Sequence, residues 1–214
     1  MIVNKLRTDA KIVGTLAIVI DVINDKIVSK CECLTTKDTE IITAYQIIHG
    51  SKKNKSILDY ENYIKILEDN GIEKAREKME NMYILDFLIM NEDRHLNNFG
   101  IIRDVNTLKW IDVCPIFDNG QSLNIINYDN DIIITEGNGR LFYEVKSFDR
   151  IIKLVQNIKR IDISKLDGVV EEFETLLYKY QSITNISDKR IHNLCILLNR
   201  QINKLKLMIR DDCV

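Results

Sequence analysis

Glycine is scarce in the first half of the chain and proline is almost absent from all of it. The 214 residues hold eight glycines and one proline. Before Asp93 the only glycines are Gly14, Gly50 and Gly71, which form no cluster, so that stretch offers no glycine-rich loop to cradle phosphates. With one proline and no low-complexity segment or repeat, the one domain boundary suggested is a hinge near residue 35. No apolar run approaches the ~20 residues of a membrane helix. The longest, Leu16–Ile20 and Ile84–Met90, are short, and Asp86 interrupts the second. The opening Met1–Arg7 lacks the apolar core of a signal peptide, so a cytoplasmic chain with no membrane contact is expected. Charge of one sign is also missing. A net charge of −2, with Lys and Asp/Glu interspersed, gives no basic face for nucleic acid.

Five cysteines, an odd number, argue against a disulfide framework and for a reducing compartment. Cys31 and Cys33 are one residue apart, closer than zinc pairs usually stand, and alternation along a strand would place both on one packed face. They are therefore read as structural.

The polar cluster Asn91-Glu92-Asp93-Arg94-His95-Leu96-Asn97-Asn98-Phe99-Gly100 is answered by Pro115-Ile116-Phe117-Asp118-Asn119-Gly120. It offers a carboxylate, an amide five residues later and a second carboxylate beside a glycine. Magnesium-dependent phosphoryl transfer uses such groups, one Asp taking the proton of the attacking hydroxyl while an Asn oxygen and another Asp hold metal. Asp, Asn and Gly are also ordinary turn residues. Context separates the two readings: the cluster follows a largely apolar helical run, Tyr83 to Met90, and loops on rigid supports are where reactive groups sit. Phe99–Arg103 and Leu108–Val113 read as strands about a turn at Asp104–Asn106, folding Asp118 back towards Asp93.

The stretches LDFLIMNEDRHLNNFG and PIFDNGQSL resemble the C-terminal domain of the HipA-like serine/threonine kinases, a likeness running from about residue 12 to the C-terminus and densest over 83–123. By that resemblance Asp93 is the catalytic Asp, Asn98 and Asp118 are the metal ligands, and ATP and Mg2+ are used. A protein substrate is implied as partner. Backbone groups of Glu32, Cys33 and Leu34, at the hinge, would meet the adenine. The implied fold is α+β and protein-kinase-like, with a mainly helical C-terminal lobe over 35–214 and a small, truncated β N-terminal lobe over 1–34. Phosphoinositide kinases share the Asp-Arg-His order, which makes lipid a second substrate class. The Asn-x-Gly after Asp93 and the Phe-Asp-Asn-Gly favour the HipA-like reading.

Along the rest of the chain, Ile12–Ile20 and Lys26–Cys31 read as a hairpin about Asn24-Asp25. Lys52–Lys55 reads as a solvated loop, Asn124–Asn130 as polar loop and Asp131–Thr135 as a short strand. Gly137-Asn138-Gly139 reads as a turn rather than a phosphate loop, because Arg140-Leu141-Phe142-Tyr143 follows. Helices are predicted around Tyr60–Leu67, stopped by Gly71, then from about Ile72 to Met90, and in three stretches marked by Phe148–Ile158, Leu166–Tyr180 and Ile191–Leu205. Arg94 and His95 are read as pinning the loop. Asp86, inside an apolar run, is predicted either to face solvent or to accept backbone N–H groups of the 91–98 loop.

A kinase also needs a Lys that meets the phosphates. Lys5, Lys11, Lys26 and Lys30 are available, but none stands in a convincing strand motif. The sequence therefore predicts a kinase whose N-terminal lobe is supplied by another polypeptide or an upstream segment, showing little or no transfer alone. The alternative is a non-catalytic relative that binds nucleotide, metal or a partner.

Overall fold

A computed structural model describes residues 19–51, 59–123, 138–142 and 145–211. The readings that rest on Lys5, Lys11, Gly14, Lys52–Lys55, Asn124–Asn130, Asp131–Thr135 and Cys213 lie outside these residues.

Strands β1 (Val19–Ile23) and β2 (Lys26–Lys30) form an antiparallel hairpin. Asn24 and Asp25 at its turn both have positive φ, 50° and 58°. That is the backbone of a primed hairpin turn, and Asn and Asp tolerate it. Cys31 and Cys33 lie beyond the end of β2 and are exposed, so they do not share a packed strand face as the alternation suggested.

Strand β3 (Thr39–Thr43) runs into helix α1 (Ala44–Gly50), with Thr43 as N-cap. Thr43 and Gln46 close a capping box, each side chain meeting the other's backbone N–H. Helix α2 (Asp59–Asp69) buries Tyr60, Tyr63, Ile64 and Leu67, the predicted stripe, and ends before Gly71, whose φ of +84° a side chain would strain. Helix α3 (Ala75–Ile89) starts three residues later than the sequence suggested, because Lys74 takes the left-handed conformation ahead of it. From Met79 to Ile89 every residue of α3 is buried, so it is the central helix rather than an amphipathic surface one.

Strands β4 (Gly100–Asp104) and β5 (Trp110–Val113) complete the antiparallel order β3-β4-β5. Strands β6 (Asn138–Phe142) and β7 (Val145–Ser147) form a second hairpin, so Asn138 and Gly139 open a strand where a turn was expected. The helix marked by Phe148–Ile158 is not continuous. It is a single turn, α4 (Phe148–Ile151), followed by 3₁₀ turns at Ile152–Leu154, Ile158–Arg160 and Ile163–Leu166. Glu80 of α3 accepts the Gln156 N–H at 2.9 Å and so offers that backbone a partner other than the next turn of helix. The path buries Phe148, Ile151, Ile152, Ile158 and Ile161 in the core.

Helices α5 (Val169–Lys179), α6 (Gln181–Thr184) and α7 (Asp188–Asp211) finish the chain. α7 packs across α3 and α5 and is tied to the core where Gln201 Nε2 donates to the Phe87 carbonyl at 2.7 Å. Among the described residues no helix is long and apolar enough to cross a membrane.

Burial sorts the cysteines. Cys114 and Cys195 are buried, and desolvation pushes both thiols up to about 11. Cys33 is shifted down by hydrogen bonding with Thr35. Brief iodoacetamide treatment at pH 8 is expected to label Cys31 and Cys33 and to spare Cys114 and Cys195, since the thiolate is the reactive form. Peptide mapping checks this, and equal labelling of Cys114 would contradict its place in the core.

Candidate active site

The site begins where α3 ends. Met90 adopts a left-handed conformation with φ of 48°, and the N–H groups of Met90 and Asn91 both return to the Asp86 carbonyl. The chain leaves the core sharply there. Asp86 and Arg94 are both 0% exposed, and Arg94 Nε lies 3.0 Å from Asp86 Oδ2. Asn91 Nδ2 adds a contact to Asp86 Oδ1 at 3.3 Å. Asp86 therefore neither faces solvent nor accepts its side-chain bonds from backbone N–H groups. Burial raises its carboxyl above the ordinary value, and the charge and hydrogen bonds of Arg94, with the Asn91 amide, oppose that.

All five N–H donors of Arg94 are used. Nε and one Nη2 hydrogen meet Asp86. One Nη1 hydrogen goes to the Asn98 carbonyl at 3.0 Å and the other to the Phe117 carbonyl, while the second on Nη2 meets Asn119 Oδ1. One planar guanidinium thus joins α3, the 91–98 loop and the 117–119 segment, and lysine has no fork to replace it. The expected role of Arg94 as a pin is what the structure shows. Among the described residues the His95 ring bonds locally, accepting the Asn97 N–H at 3.2 Å through Nδ1.

The loop is also held from outside. The first N–H groups of α1, on Ala44 and Tyr45, donate to the carbonyls of Phe99 and Leu96 at 2.9 and 3.0 Å. These are donors that a helix start leaves free. Gly100 pairs with Thr43, and a Cβ at Gly100 would stand 2.1 Å from the Ile42 carbonyl oxygen. Only glycine lets β3 and β4 close so tightly.

Asp93, Asn98 and Asp118 are brought to one region. Glu92 N–H donates to the Gln121 carbonyl at 3.1 Å, and Asn91 Nδ2 reaches the Asp118 carbonyl at 3.4 Å, so the two loops lie side by side. Asn98 Nδ2 donates to the Asp93 carbonyl at 2.9 Å. A carbonyl only accepts, so the amide is oriented with its Oδ1 left for another partner. Asp118 is exposed, has a φ of 51°, and its carboxylate accepts no hydrogen bond among the described residues. Asp93 keeps a side-chain exposure of 19%. Gln121 Nε2 meets its Oδ2 and Arg140 Nη1 its Oδ1, both at 3.2 Å.

An amide oxygen and a carboxylate, both hard and neither spent on the protein, suit magnesium. Among the described residues no three Asp, Glu, His or Cys side chains gather to hold a metal, so the donors on offer are one amide and one carboxylate, a set that magnesium completes with water and phosphate oxygens. At Glu92 desolvation raises the carboxyl, and Arg140 opposes the rise.

Glu32 and Cys33 are exposed and Leu34 is half-buried, just after β2, which touches α6. Their one described side-chain bond, Cys33 Sγ with Thr35 Oγ1 at 3.8 Å, is local, and none is described to the 91–98 loop. A cavity of about 580 Å³ opens behind the Asp118–Gly120 loop, between Asn119, Leu123, Phe173, Leu177, Ile186 and Arg190. Asp93, Asn98 and Asp118 are not among its walls.

Asn91, Asn119, Gln121 and Arg140 were not read as site residues. The first three adjoin the motif. Arg140, 47 positions from Asp93, carries no sequence signal linking it there.

No protein-family model and no curated protein matches the chain. Among solved structures it is similar to the Helicobacter pylori proinflammatory kinase CtkA, with 15% identity and a TM-score of 0.62 over 100% of this chain and 85% of that one. The fold is α+β and kinase-like. At this identity the likeness speaks for the fold, with its helical lobe and small β sheets, and leaves the chemistry to the side chains.

Proposed function

We propose that this chain is a magnesium-dependent, ATP-using kinase of the HipA-like serine/threonine type, acting on a protein hydroxyl in the cytoplasm. The observation that carries the reading is the Arg94 hub. It fastens the Asn98 and Phe117 carbonyls to one buried guanidinium, so that the loops bearing Asp93, Asn98 and Asp118 adjoin. The Asp86–Arg94 pair carries a desolvation cost and holds the two loops to the central helix.

In this mechanism Asp93 accepts the proton of the attacking hydroxyl, and Asn98 Oδ1 and the Asp118 carboxylate would hold Mg2+. Bound there, the metal would supply neutralisation of phosphate charge. The residues 32–34 are proposed to meet the adenine through their backbone, and a regulatory or lobe-completing polypeptide is the proposed partner besides the substrate. A second reading, a nucleotide-binding module without transfer, is favoured by one observation: both oxygens of Asp93 are already engaged, by Gln121 and Arg140.

The test is thermal. Mg-ATP at a hundredfold excess over Kd is expected to stabilise the fold by about 2.7 kcal/mol. Asp118→Asn is expected to melt like the wild type without ligand and to lose most of that gain. Equal shifts in the two proteins would remove the metal assignment.

A further inference from the structure

The contact between Arg140 and Asp93 closes the candidate base with a group that is easily moved. The Arg140 side chain is 67% exposed, and only one of its five N–H groups is engaged by a described hydrogen bond. Exposed ion pairs of this kind hold weakly. The strand beneath is well anchored: Phe142, two positions on, is buried and packs against Tyr60, Tyr63 and Phe99 with ring centroids 6.3, 6.3 and 6.0 Å apart. Phe99 directly follows Asn98. The β6 strand therefore fixes where the guanidinium is rooted, while its long side chain stays free to turn.

We infer that Arg140 is a further catalytic residue, which leaves Asp93 when nucleotide binds and pairs with the γ-phosphate. The inference rests on the kinase reading. A hydroxyl attacking phosphorus must lie within hydrogen-bond reach of Asp93. A cation bonded to Asp93 is consequently within a side-chain rotation of the phosphoryl oxygens. In the step itself, the hydroxyl oxygen forms the new bond to phosphorus and its proton passes to Asp93. The bond from phosphorus to the bridging oxygen breaks, and its electron pair departs on the β-phosphate of ADP. Arg140 keeps its proton and offers paired N–H donors to the equatorial oxygens, a geometry that guanidinium meets and ammonium does not. The same rotation uncovers Asp93, so the base is freed only when a phosphate is there to receive the attack.

Binding separates this from other roles, because ADP lacks the group that Arg140 is to hold. Titrations of the whole chain with Mg-ADP and with a non-hydrolysable Mg-ATP analogue are compared for wild type, Arg140→Ala and Arg140→Lys. Arg140→Ala is expected to bind the ATP analogue at least tenfold more weakly than wild type and ADP equally well. Arg140→Lys should fall between, and added guanidinium should recover part of the loss in phosphate transfer by Arg140→Ala. Unchanged preference for the ATP analogue in Arg140→Ala would overturn the inference and leave the kinase reading standing. Tighter binding and faster transfer by Arg140→Ala would also overturn it, and would make the contact a lock. Failure of the wild type to bind either nucleotide would bring down the kinase reading and the inference together.

Discussion

Arg94→Ala is expected to destabilise the fold by about 3–5 kcal/mol, the usual cost of leaving one partner of a buried ion pair alone. The substitution strands the Asp86 carboxylate at 0% exposure and also removes the donors to Asn98 O, Phe117 O and Asn119 Oδ1. Arg94→Lys keeps a charge without the fork and should recover only part of the loss. The pH dependence has a definite sign. Burial already holds Asp86 above its ordinary value of 3.8, and Arg94 is the main opposing influence. Without Arg94 the native state binds that proton still more tightly than the unfolded chain does. Stability of the variant therefore falls as pH rises through the interval between the unfolded and the folded pKa, and its deficit is smallest in acid. Equilibrium denaturation at pH 5 and pH 8 measures both effects. A variant within 1 kcal/mol of wild type at both would show that the guanidinium is not the hub described.

What could be read in advance follows from which interactions are local. The stripes of α2 and α7 repeat at helical spacing, and the β4–β5 turn sits where Asp104 accepts the N–H groups of Asn106 and Thr107 at 2.9 and 2.7 Å. That the loops carrying Asp93 and Asp118 would adjoin was legible because the two strands between them, about a turn at Asp104–Asn106, fold the chain back. Asp86 was legible only as an anomaly. Its partner stands eight positions on, and that pairing depends on the left-handed turn at Met90, which no pattern of residue types announces. The segment after Phe148 was misread as one helix because its apolar spacing is helical, whereas the Glu80 side chain of a distant helix competes for its backbone. Arg140 was invisible for the same reason at longer range.

Asp93→Ala is expected to lower the rate of phosphate transfer by about 10²–10⁴, the ordinary share of a positioned general base. Its effect on folding should be small by comparison. The carboxylate has only two described side-chain partners, Gln121 and the exposed Arg140, and the Asp93 carbonyl and N–H that meet Asn98 and Asn91 are backbone and remain. Loss of activity with an unchanged melting temperature therefore distinguishes a reacting group from a structural one. Arg94→Ala should lose both together.

The most direct measurement is transfer of label from γ-labelled ATP with Mg2+ to the chain itself and to a general protein substrate, with wild type and Asp93→Ala compared at equal folded concentration. The experiment is done on the 214-residue chain. The account predicts slow transfer by the wild type, on serine or threonine, reduced at least a hundredfold in Asp93→Ala. Equal labelling by the two proteins would contradict Asp93 as the base, and no labelling by a wild type that binds Mg-ATP, even with the missing lobe supplied, would contradict the kinase itself.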